Sequence, residues 1–205
     1  MKITFINGSP KKKGSASGKL ICELRGRLSD VPERITAGLA EHSAAEIIDA
    51  IQNCDAIVFV FPLYVDGLPS GLVRFLDEYR NTISHAAPRA KVYVVVNCGF
   101  YEARQNAIAI AMMENFCASS SLTWGRGLGI GCGGMIGDVS LNRFPMKKIG
   151  RELDELAKNI CGLETAENSF VEPSIPRFLY MLLANLSMKL EMRRQSKKTG
   201  SLECS

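Results

Sequence analysis

Apolar residues along this chain fall into short, nearly unbroken runs, separated by segments where they recur every three or four positions. Ile3 to Ile6, Ala56 to Phe61 and Val92 to Val96 are runs of strand length. Continuous rather than alternating apolarity marks strands buried on both faces. A weaker run, Arg34-Ile35-Thr36-Ala37, predicts a short second strand, and Leu128-Gly129-Ile130 predicts a fifth. Between them the helical period appears. It opens at Lys19-Leu20-Ile21 and runs to about Leu28, then returns from Ser43 to about Asn53, from Ser70 to Tyr79, from Ala103 to Ser120 and from Pro145 to Cys161. Ser43 with Glu46 three residues on has the form of a capping box. Strands that alternate with helices and are apolar on both sides predict an α/β fold, an open parallel sheet covered on both faces by crossover helices.

Four of these strands stop abruptly in small and polar residues: Gly8-Ser9-Pro10, Pro62-Leu63-Tyr64, Asn97-Cys98-Gly99 and Gly131-Cys132-Gly133. Ligands of such sheets bind outside the carboxyl ends of the strands, where strand order reverses. The four loops are therefore expected to meet on one rim. The first is the most informative, since NGSPKKKGSASG follows a strand and leads into a helix. Free N–H groups at the helix start, the helix dipole and serine hydroxyls together form a cradle for an anion. The spacing fits neither G-x-x-x-x-G-K-[ST] nor G-x-G-x-x-G. A solvated loop with a helix-capping serine is the plain alternative.

Composition narrows the function classes. The chain has 205 residues, 46% of them hydrophobic and 22% charged, which suits one well-packed domain. A net charge of +4 is modest, and the basic residues gather at Lys11 to Lys13 and Arg193 to Lys198. A broad basic face with interleaved aromatics is missing, so no nucleic-acid partner is expected. Seven cysteines without a C-x-x-C pair, and only His42 and His85, predict reduced thiols in a cytoplasmic protein with no metal site. The amino terminus does not have the form of a signal peptide, and no run reaches the length of about 18 apolar residues that a membrane span needs.

Candidate chemistry follows from the rim loops. Ser9, Ser15 and Ser17 offer hydroxyls, and Lys11 is the lysine expected to face the anion, with Lys12 and Lys13 solvated. Tyr64 offers a ring to a flat ligand or else plugs the rim. Asn97, Gly99 and Tyr101 offer amide, backbone and ring contacts. Cys98 and Cys132 lie near the rim without a histidine beside them, so a packing thiol is favoured over a nucleophile. Asp66 and Glu102 do not form an evident acid–base pair. A site of hydroxyls, amides and rings suits an enzyme whose cofactor does the chemistry.

GSPKKKGSAS after the first strand, PLYVDGLPSGLVRFLD after the third and NCGFYEARQN after the fourth resemble the flavodoxin-like NAD(P)H-dependent FMN oxidoreductases. The resemblance extends over about residues 1–163. It implies a doubly wound five-stranded parallel sheet in the order 2-1-3-4-5, with FMN at the rim and NADH or NADPH as electron donor. It also implies that Ser9, Lys11, Ser15 and Ser17 hold the FMN phosphate. Pro62, Leu63, Tyr64, Val65 and Gly67 would line one side of the isoalloxazine, and Asn97, Cys98, Gly99 and Tyr101 the other. No residue is implied to be catalytic by itself, and the electron acceptor would be a small molecule such as a quinone, nitro compound or flavin, reduced in a ping-pong cycle. A flavin-binding electron carrier or regulator is the alternative, although short flavodoxins are usually strongly acidic and this chain is not. A phosphate-binding module without flavin is a third reading.

Residues 164–205 read as a polar linker followed by an apolar helix from Arg177 to Arg194 with a basic end. Such a helix is expected to pack on its own domain or across a homodimer. Contact with an anionic membrane surface is the alternative.

Overall fold

The computed structural model describes residues 1–82, 90–120, 122–182 and 185. Six strands, β1 (Lys2–Asn7), β2 (Glu33–Gly38), β3 (Ala56–Pro62), β4 (Lys91–Asn97), β5 (Thr123–Ile130) and β6 (Ser169–Val171), alternate with α1 (Ala16–Arg27), α2 (Ala44–Ile51), α3 (Ser70–Thr82), α4 (Ala107–Ser119) and α5 (Lys147–Gly162). All pairings are parallel. The sheet order is β2-β1-β3-β4-β5-β6, the flavodoxin-like order with one more strand at the edge.

The side-chain period of two along β3 shows how the sheet is covered. Ala56, Val58 and Val60 pack on one face with Leu20, Leu24, Leu153 and Leu156 of α1 and α5. Ile57, Phe59 and Phe61 pack on the other with Ile47, Leu72, Phe75 and Met113 of α2, α3 and α4. Both sets are essentially free of solvent, which is why these strands carry no polar alternation. Ser43 caps α2 in a full capping box with Glu46, as its spacing predicts.

The structure differs from the sequence expectation most in four places. α1 begins at Ala16 instead of Lys19, because the Ser15 hydroxyl accepts from Gly18 N and acts as its N-cap. The segment from Ala103 opens as a 3-10 turn to Asn106 before α4 begins. β5 starts five residues before Leu128, and the expected five-stranded sheet has a sixth strand. β6 pairs Ser169, Phe170 and Val171 with Leu128, Gly129 and Ile130. Three residues inside a polar stretch carry no periodic signal, so this strand is specified by its neighbours. Asn168 Oδ1 accepts from Gly127 N at 2.7 Å and from Trp124 Nε1 at 3.3 Å. The buried Arg126 guanidinium donates to Glu152 on α5, Asn159 on α5 and Ser169 on β6.

Met1–Pro173 form one compact unit and Ser174–Ser205 a second. In the second, residues 177–182 and 185 are helical, and the remainder of the expected apolar helix, with its basic end, lies outside the described residues. No helix among the described residues is long and apolar enough to cross a membrane.

Candidate functional site

The carboxyl ends of β1, β3, β4 and β5 open into one cleft of about 300 Å³. Its lining includes Ser9, Lys11, Gly14, Ser15, Ala16 and Ser17 from the loop before α1 and from that helix's first turn. Pro62, Leu63 and Tyr64 follow β3, Asn97 and Gly99 follow β4, and Gly133 and Gly134 follow β5. The convergence expected from the four loops is therefore present. It sits at the point where order reverses, since β1 lies between β2 and β3 and the chain crosses over it.

The first loop is held by its own hydrogen bonds. Gly8 N donates to Val60 O at 2.9 Å, Ser9 N to Asn7 Oδ1 at 3.1 Å and Lys11 N to Ser9 Oγ at 3.2 Å. Ser9 and Ser15 thus accept from the backbone through their oxygens, which leaves each hydroxyl proton available to an anion. Both are nearly buried. Ala16 and Ser17, whose N–H groups open α1 and have no partner within the helix, line the cleft. All three lysines are exposed, and of them Lys11 lines the cleft.

Ser17 differs from the other two. Its hydroxyl donates to Asn97 Oδ1 at 3.1 Å, and both residues are buried. That bond ties the first turn of α1 to the end of β4 and fixes the Asn97 side-chain amide. Asn97 O in turn accepts from Leu63 N at 2.9 Å, so one residue joins three of the rim loops.

The β3 loop is built differently. Tyr64 and Gly67 exchange both backbone hydrogen bonds, at 3.1 and 2.9 Å, across a two-residue turn. Val65 and Asp66 at its tip have φ of 46° and 57°. A left-handed conformation is unusual for a β-branched residue. Val65 is fully exposed and Tyr64 is 45% exposed.

Four residues expected to touch the ligand do not line the cleft. Val65 is at the turn tip, Gly67 closes that turn, and Cys98 is buried behind the rim. Tyr101 lies in the backbone that closes over β5, its carbonyl 2.2 Å from where a Cβ on Gly131 would stand. Burial pushes the Cys98 thiol above its usual range, against weaker opposing bonds from Phe100 and Asn106. A thiolate is disfavoured there, in keeping with a packing role. Among the described residues no cluster of His, Cys, Asp or Glu could hold a metal ion.

The sequence reading named Gly133 only as part of the fourth rim loop, not as a ligand contact, and did not single out Gly14 and Gly134. A Cβ at Gly133 would stand 2.9 Å from Cys98 O and 3.1 Å from Asn97 Nδ2, so only glycine lets β5's loop approach the end of β4. At Gly14, Gly99 and Gly134 a Cβ would meet nothing within 4 Å. The cleft thus joins the serine loop, the Tyr64 ring and a stretch of bare backbone at Gly99, Gly133 and Gly134. That combination fits a mononucleotide with a flat ring, and the donors present suit a phosphate.

These features define a flavodoxin-like flavoprotein. The sequence model of the NADPH-dependent FMN reductase family matches residues 1–129, and the chain belongs to that family. It is accordingly an NAD(P)H-dependent FMN oxidoreductase, with FMN as cofactor. No curated protein sequence matches it. Among solved structures it is similar to the apo form of an NADH:FMN oxidoreductase, at 14% identity and a TM-score of 0.61, over 86% of this chain and 96% of that one. A protein from P. pentosaceus described as NADPH-quinone reductase matches at 14% identity and a TM-score of 0.59, over 78% and 99%. A flavodoxin from Streptococcus pneumonia TIGR4 matches at 13% identity and a TM-score of 0.55, over 78% and 99%. At these identities the likeness is one of fold.

Proposed function

We propose that this cleft is where FMN binds and that the enzyme passes electrons from NAD(P)H to a small-molecule acceptor, such as a quinone, nitro compound or free flavin, in a ping-pong cycle. FMN, when bound, supplies the chemistry by accepting a hydride and passing electrons onward. The observation that carries the reading is that one cleft joins the capped serine loop to a backbone-lined wall beside Tyr64. Ser9 and Ser15 would donate their hydroxyl protons to the phosphate, joined by the amides of Ala16 and Ser17, while Lys11 adds charge attraction. Pro62, Leu63 and Tyr64 would cover one side of the ring system. The fixed Asn97 amide and the Gly99 N–H would meet the ring edge that gains negative charge on reduction. Val65 and Gly67 would act by shaping the turn that presents Tyr64, and Cys98 by packing beneath Asn97.

One exposed mouth serving donor and acceptor in turn supports the ping-pong order. Anaerobic mixing of the FMN-loaded protein with NADPH or NADH is expected to bleach the visible flavin band rapidly. A band that stays oxidised with both donors would favour an electron carrier. The reading includes a cytoplasmic homodimer, supported by free thiols at Cys22, Cys54, Cys98, Cys117, Cys132 and Cys161 and by exposed Val73, Ile108 and Met112 on α3 and α4.

A further inference from the structure

Charge is unevenly shared between the two compact units. Ser174–Ser205 carry six basic residues against two acidic ones, a net +4 that equals the net charge of the whole chain, so Met1–Pro173 are neutral. The second unit also carries an open apolar face. On its helix Phe178, Met181 and Leu182 are 74%, 48% and 55% exposed, and Asn185 is exposed with them, whereas Leu179 and Tyr180 are half-buried. Spacings of three and four residues put the exposed set on one side of the helix. In the sequence the same spacing continues to Met188, Lys189 and Met192, so the stripe stays largely apolar and gains a lysine. Asn185, Ser187, Lys189 and Glu191 interrupt the run, which makes it too polar to cross a bilayer and suits it to lie in the surface of one.

We infer that Ser174–Ser205 are a reversible docking unit for an anionic lipid surface, with Phe178, Met181 and Leu182 entering the acyl boundary and the basic cluster from Arg193 to Lys198 drawn to the headgroups. An exposed apolar stripe is satisfied by an apolar phase, and a concentrated positive charge by an anionic one. A second copy of this chain would cover the stripe but bring two units of the same +4 charge together. An anionic bilayer answers both needs at once. Lys189 fits it as well, since a lysine can bury its stem beside apolar neighbours and keep its ammonium at headgroup level. Cytoplasmic leaflets carry the negative surface potential that attracts such basic segments. The inference does not depend on what the cleft of the first unit binds.

The test is flotation of the FMN-loaded full chain with vesicles of phosphatidylcholine alone and of phosphatidylcholine mixed with phosphatidylglycerol. Partition to the mixed vesicles is expected to be about tenfold stronger than to the neutral ones, and raising NaCl from about 0.1 M to about 0.5 M should remove most of that preference. Changing Phe178, Met181 and Leu182 together to serine should cut partition to the mixed vesicles about tenfold. Changing Arg193, Arg194, Lys197 and Lys198 together to glutamine should bring the mixed vesicles down to the level of the neutral ones. A chain ending at Pro173 holds all six strands and both halves of the core, and it should stay in solution with either vesicle. None of these changes touches the cleft, so each form should keep the FMN content of the wild type. Equal partition of the wild type to both vesicles would overturn the proposal, as would binding to the mixed vesicles that persists in the serine variant, the glutamine variant or the shortened chain. So would a dimer in sedimentation velocity that dissociates on the serine changes while vesicles take up none of the protein, since the stripe would then be a contact between copies.

Discussion

The loop after β1 and the loop after β3 both line the cleft, and they are built on opposite principles. The first is relaxed: Ser9 and Ser15 satisfy backbone donors, and its one left-handed residue is Gly14, with φ of 68°, where the conformation costs little. The second holds Val65 and Asp66 left-handed in a two-residue turn, in positions that favour Asn and Gly. A phosphate is recognised by donors whose positions are fixed beforehand, so the first loop gains from having no internal conflict. A ring is recognised by area, and the second loop uses its tight turn to hold an exposed tyrosine at the rim. Strain maintained at such a place is the usual mark of a functional constraint.

The largest expected effect tests the first loop. Replacing Ser9 and Ser15 together with alanine removes two hydroxyl donors from a charged ligand. At about 1.5 kcal/mol each, that corresponds to a loss of roughly 100-fold in FMN affinity. Flavin fluorescence titration of the apoprotein would measure it. Losing the Ser15 cap should also lower stability by about 1 kcal/mol in urea unfolding. Unchanged affinity would mean that the two loops do not divide phosphate and ring between them. Ser17 stands apart, because its hydroxyl is engaged by Asn97. Its replacement should act through the position of the amide instead of through the phosphate.

A smaller effect tests the second loop. Tyr64→Ala removes ring-to-ring contact of about 0.5–1.5 kcal/mol, so FMN should bind up to about tenfold more weakly. The quenching of bound-flavin fluorescence should fall with it. If Tyr64→Ala leaves both unchanged, the tyrosine is only a plug at the rim, and the second loop has no part in binding.

The same contrast governs how much could be read from the sequence. β1, β3 and β4 are legible because both their faces are apolar, and their parallel pairing follows from the alternation with helices, whereas their order comes from the family resemblance. β5 is half hidden, because Gly125, Gly127 and Gly129 break its apolar run. Each is there to admit a neighbour: a Cβ would stand 2.6 Å from the Tyr93 ring, from Ile110 Cγ2 and from the Phe170 ring, respectively. Those partners are distant in sequence, as are Glu152, Asn159 and Ser169 around Arg126. β6 is invisible for the same reason. In the cleft, the serine loop and Asn97 could be named because their chemistry is local. Gly133 could be placed on the rim but its need for glycine could not be read, since what requires it is the approach of the Cys98 carbonyl. Val65 could be named but not oriented, because a strained turn reverses the direction that its apolar side chain suggests.

The smallest expected effect is also the one that separates strain from contact. Val65→Asn puts a residue that tolerates left-handed φ at a fully exposed position where valine makes no packing to lose. Stability should rise by about 1 kcal/mol in urea unfolding, from relief of the backbone cost alone. Because Val65 does not line the cleft, FMN affinity should stay within about threefold while Tyr64 keeps its place. If affinity fell as far as in Tyr64→Ala, with no gain in stability, Val65 itself would be a contact, and the division between a relaxed donor loop and a strained presenting turn would fail. A gain in stability with affinity retained would show that the strain belongs to the turn and not to the ligand. A slower flavin reduction in that variant would then identify what the strain is kept for.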